Sequence, residues 1–110
     1  FRNYAPERLP YAITRYSNEA HRLYRVLNTR LTGRDYVAGD YSIADMAIFG
    51  WARNWESRGL DVTEFPNVVA WHDRIAARPA VQRGLALKAP TPPKDLATDL
   101  EAQKVLFGQR

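Results

Sequence analysis

The chain has 110 residues, 45% of them hydrophobic and 25% charged, the proportions of an ordinary globular domain long enough to bury a real core. It contains no cysteine, which excludes disulfides, thiolate metal sites and a cysteine nucleophile within it, and no apolar run approaches the ~20 residues that a membrane span needs. Thirteen arginines and three lysines give a net charge of +4, but they are spread along the chain and mixed with Glu19, Glu56 and Asp73, as on a solvated surface rather than a nucleic-acid groove.

Residues 1–9 read as a connection, with Pro6 and Pro10 framing a helix entry, and Pro10 suits a first turn because its missing N–H is no loss there. From Pro10 to about Leu31 no proline or glycine interrupts, and Ile13, Tyr16, Ala20, Leu23, Tyr24, Leu27 and Leu31 recur every three or four residues, which predicts a long amphipathic helix ended by Gly33. The turn-rich stretch GRDYVAGD follows. A second helix is predicted to begin near Tyr41 and run to about Arg58, where Gly59 followed by Leu60 has the form of a left-handed terminator. A third starts near Pro66, carries apolar groups at Val68, Trp71, Ile75 and Ala76, and is broken at Arg78-Pro79. A fourth, short helix covers about Pro79 to Leu87. Residues 1–88 thus form the domain, and residues 89–110 are a proline-rich linker, APTPPK, and a tail able to form one more short helix. No strand pattern emerges. The fold class is all-α, a bundle of about four to five helices joined by short loops.

Ser42 and Asp45 stand three apart immediately before the apolar run of the second helix, a variant of the capping box. The serine oxygen accepts from the N–H of Asp45, and the Asp45 carboxylate reaches back to the N–H of Ser42. Tyr41 before the cap and Met46 at the fourth helical position are placed to close a hydrophobic staple, and the negative charge sits at the positive end of the helix dipole. With neighbours this apolar the cap is expected to be buried, and Asp45→Ala to cost roughly 1–3 kcal/mol through a lost cap and unsatisfied donors. This folding role stands against a catalytic carboxylate or a metal ligand.

The segment GDYSIADMAIFGW, followed by FPNVVAWHDRIAARPAV, resembles the C-terminal helical domain of the glutathione transferase family, in which the matching helix is central and its Asp is a folding determinant. YAITRY, RLYRVLNTRL and the terminal LFGQ resemble more narrowly the bacterial nu-class branch related to the yeast nitrogen regulator, whose members act as glutathione-dependent disulfide reductases. The resemblance covers about Phe1 to Arg83. It implies a two-domain, dimeric, cytoplasmic parent whose thioredoxin-like N-terminal domain, absent from this sequence, binds most of glutathione and activates the thiol. It also implies a further helix ahead of residue 1 that covers an apolar face. The chain opens with Phe1 and is expected to be part of such a longer product, without glutathione chemistry of its own.

From the same resemblance, Arg15 contacts a glutathione carboxylate, and Tyr11, Tyr16 and Trp51 line the substrate pocket. A guanidinium suits a planar carboxylate. From the residues alone, Arg15 reads rather as a surface group paired with Glu19 one turn on, and helix aromatics are commonly core. His21 and His72 stand at no metal-ligand spacing, so no metal is expected, and His72 with Asp73 is expected to fail as a base and its orienter because adjacent helix residues point apart. Ser17 and Ser57 show no nucleophile elbow. Three functions stay open: the helical half of a glutathione-conjugating or disulfide-reducing enzyme, a non-catalytic helical protein-interaction module, and a basic nucleic-acid binder. Neither nucleic acid nor a membrane is expected as a partner.

Overall fold

The computed structural model describes residue 5, residues 7–87 and residues 98–108, the side chains of residues 106 and 107 excepted. The proline-rich stretch 89–94 lies outside the described residues, as do residues 1–4. Among the described residues five α-helices follow in order: α1 (Pro10–Arg30), α2 (Ile43–Ala52), α3 (Pro66–Ala76), α4 (Pro79–Ala86) and α5 (Leu100–Phe107). Among the described residues the extended pairing is confined to isolated bridges, Tyr36 with Gly39 and Ala38 with Asp40, inside the loop between α1 and α2. The all-α expectation holds.

Proline begins α1, α3 and α4, where its fixed φ suits the first turn. The first helix ends as the glycine predicts. Gly33 has φ +67°, and a Cβ placed there would meet no atom within 4 Å, so only backbone strain opposes a larger residue. Gly33→Ala is therefore expected to cost about 1 kcal/mol, read as a shift in the urea midpoint at unchanged slope.

The second helix is shorter than its sequence predicts. It stops at Ala52, and the chain turns through Asn54 into a 3-10 turn at Glu56–Arg58. That turn swings Trp55 back until its ring meets His72 edge-on at 4.7 Å, a contact that a continued helix would forfeit. The Gly59 terminator is present with φ +67°, but it closes this short turn, donating to the Glu56 carbonyl at 2.8 Å. A second 3-10 turn at Val62–Glu64, capped by the Asp61 carboxylate, leads into α3. Three residues give too little periodicity for a sequence to announce such a turn.

The core is built where the apolar stripe of α3 meets α1 and α2. Val68, Trp71 and Ile75, spaced along one face of α3, are at most 1% exposed, and Tyr24, Leu31, Phe49, Ala52 and Phe65 close around them. Each fully buried aliphatic or aromatic side chain contributes on the order of 1.5–3 kcal/mol. Hydrogen bonds from two of its side chains fix α1 against its neighbours. The Tyr24 hydroxyl donates to the carbonyl of Ala52 at 2.6 Å, tying α1 to the end of α2. Asn28 reaches the start of α3, where its Oδ1 accepts from the N–H groups of Asn67 and Val68 at 2.9 and 3.3 Å. Neither Phe65 nor Pro66 supplies a side-chain cap, so α3 takes its cap from α1.

Candidate functional site

Asp45 is fully buried, and the folds around it explain why a carboxylate survives there. Its Oδ1 accepts from the Val37 N–H at 3.0 Å and from the Trp71 indole N–H at 2.9 Å, while Oδ2 accepts from the Ser42 N–H at 3.0 Å and lies 3.4 Å from the Ser42 hydroxyl. The capping box at the start of α2 is closed, and the Ser42 oxygen also accepts from the Ala44 N–H at 3.3 Å. Tyr41 packs against the core with its ring edge-on to Tyr36 and the Arg78 guanidinium 3.7 Å above it, whereas Met46 remains half exposed.

Burial pushes the Asp45 carboxyl up, but the hydrogen bonds from Val37, Trp71 and Ser42 outweigh it and hold the group below its ordinary value. A folded-state value below the unfolded one means that ionised Asp45 stabilises the fold above the unfolded value near 3.9, and that this stability is lost as pH falls through the lower folded value. Urea midpoints taken from pH 7 to pH 3 are expected to show an acid-side loss below about pH 4 that is smaller in Asp45→Asn.

The loop ahead of the cap is held from three sides. Arg30 of α1 donates to the Val37 carbonyl at 2.8 Å, Arg74 of α3 reaches the Asp35 carbonyl at 2.8 Å and its carboxylate at 3.0 Å, and Arg78 covers Tyr41. These pairs make the Val37 N–H a fixed donor for Asp45.

An open concavity lies between α1 and α2. It is an apolar groove of about 610 Å³, walled by Leu23, Val26, Leu27, Ile48 and Trp51, with Arg30 and Arg58 among its lining. Tyr24 lies at its floor, where burial pushes the phenol above its ordinary value. The sequence of α2, IADMAIFGWA, is apolar nearly all round, yet α3 and α1 cover one side of it and leave Trp51 76% exposed. A helix of that composition is normally buried on every face.

Of the residues assigned to a pocket by resemblance, Trp51 is on this groove. Tyr11 and Tyr16 are exposed on α1 and are not among its lining residues. Arg15 is exposed and lies 3.8 Å from Glu19, so the i,i+4 pair is present but loose. Glu19 is held more closely by Arg22, at 2.7 and 2.9 Å, and that fork keeps the Glu19 carboxyl below its usual range.

The histidine geometry corrects one expectation. The His72 Nδ1 lies 3.0 Å from the Asp73 carboxylate, so the two adjacent side chains do meet at the helix surface. The ring is also stacked on Phe49 and edge-on to Trp55, which accounts for it as a packed core-rim aromatic. His21 is likewise engaged, 3.1 Å from Glu64 and edge-on to Phe65. Among the described residues no group of three or more His, Asp or Glu side chains is placed to hold a metal ion, and no helix is long and apolar enough to cross a membrane.

Residues 12–79, which span the capping box, the groove and the α3 core stripe, match the family model for the glutathione S-transferase C-terminal domain. The chain belongs to that family. Among known relatives, this C-terminal domain is 46% identical over 90 residues to the disulfide-bond oxidoreductase YfcG of Escherichia coli, covering 81% of the chain and 41% of that protein. It is 42% identical over 92 residues to the disulfide-bond oxidoreductase YghU of the same organism, covering 76% of the chain and 32% of the relative. Glutathione S-transferase 2 of Schizosaccharomyces pombe is 41% identical over 86 residues, 64% of the chain and 37% of the relative. The matched part of the chain thus spans 32–41% of the length of these relatives.

Proposed function

We propose that the domain is the helical half of a glutathione-using enzyme that reduces disulfides or conjugates glutathione to electrophiles, with disulfide reduction the better supported. The observation that carries this reading is the identity of 46% and 42% to two proteins named disulfide-bond oxidoreductases, each extending over three-quarters or more of the chain. In such a reaction a glutathione thiolate attacks one sulfur of the disulfide and expels the other as a thiolate. A second glutathione then attacks the mixed disulfide, giving oxidised glutathione and the second free thiol, so two electrons pass in all.

The chain on its own is not expected to catalyse this. Thiol activation belongs, on this reading, to a thioredoxin-like N-terminal domain of the parent, a cytoplasmic bacterial homodimer with glutathione as co-substrate and no metal. The helix that precedes the matched segment in the family would cover the groove between α1 and α2, which accounts for an all-round apolar α2 left half bare. Arg15 contributes a guanidinium to a glutathione carboxylate, supported by its exposure and its loose pairing with Glu19.

The test uses the parent protein. Glutathione-dependent reduction of a small disulfide is expected, with retention on glutathione resin. Arg15→Ala is expected to raise KM for glutathione about tenfold with little change in kcat, the signature of lost ground-state binding worth about 1.4 kcal/mol. Unchanged KM would remove Arg15 from the site while leaving the enzyme reading intact. A parent with neither activity nor retention would overturn the reading itself and favour the second one, a helical protein-interaction module, for which the bare apolar groove is the specific support.

A further inference from the structure

We draw no further inference here: the strongest candidate, the apolar groove between α1 and α2 with Arg30 and Arg58 among its lining, belongs to the surface already described, and nothing in the structure shows what else covers it.

Discussion

Asp45→Ala is expected to remove about 4 kcal/mol of stability, more than the roughly 1–3 kcal/mol that the capping box read from sequence accounts for. The substitution leaves three directed donors, the N–H groups of Val37 and Ser42 and the Trp71 indole N–H, facing a void in a place with no solvent exposure. Each stranded donor costs on the order of 1–3 kcal/mol, less whatever an entering water recovers. For a domain of this size the change corresponds to a fall in Tm of about 20 °C, measured by circular dichroism or calorimetry. Ser42→Ala supplies the comparison. It removes the hydroxyl but keeps the backbone N–H on the carboxylate, so a loss of only about 1 kcal/mol is expected. Equal losses in the two variants would mean that Asp45 acts as a cap and nothing more.

Trp71→Phe is expected to cost about 2–3 kcal/mol, and most of that loss should depend on Asp45. Phenylalanine keeps an aromatic edge toward Phe49, whose ring centroid lies 6.1 Å from that of Trp71, but removes the 2.9 Å bond to the carboxylate. A hydrogen bond to a charged acceptor is worth about 1.5–3 kcal/mol, and the lost ring volume adds a smaller packing term. In an Asp45→Ala background the bond is already gone, so only the packing term should remain. The double-mutant cycle, read by urea unfolding, is therefore expected to give a coupling of about 1–2 kcal/mol. Additivity within ~0.5 kcal/mol would show that the indole and the carboxylate contribute independently and that α2 and α3 are joined by packing alone.

Much of the fold is written locally. The starts of α1, α3 and α4 follow from proline at a first turn, and the α3 stripe follows from apolar residues at helical spacing. The Ser42–Asp45 box is legible because both partners lie within one helical turn, so three residues of sequence are enough to define it. The end of α2 was not legible. Nothing between Arg53 and Arg58 is a glycine or proline, and Trp55 continues the apolar spacing, so the pattern runs on past the true end at Ala52. The turn there sets Trp55 against His72, seventeen residues further on, a contact no local pattern announces.

The candidate site divides in the same way. Sequence and resemblance single out Arg15 and Trp51, and the structure leaves both side chains exposed, with Trp51 on the groove; the same reasoning does not distinguish them from Tyr11 and Tyr16, which lie off it. The groove itself belongs to no local pattern, since its walls come from α1, α2, the loop residue Val37 and Arg58 of the 3-10 turn.

By itself, then, the sequence determined the helices, the cap that starts α2 and the family, because each rests on residues three or four apart or on an ordered string of them. Only the tertiary structure decided that Asp45 also holds Val37 and Trp71, 8 and 26 residues away, and that Asn28 caps a helix 39 residues further along. Hydrogen bonds over such separations depend on where intervening loops deliver their partners, and burial then makes each of them costly to lose.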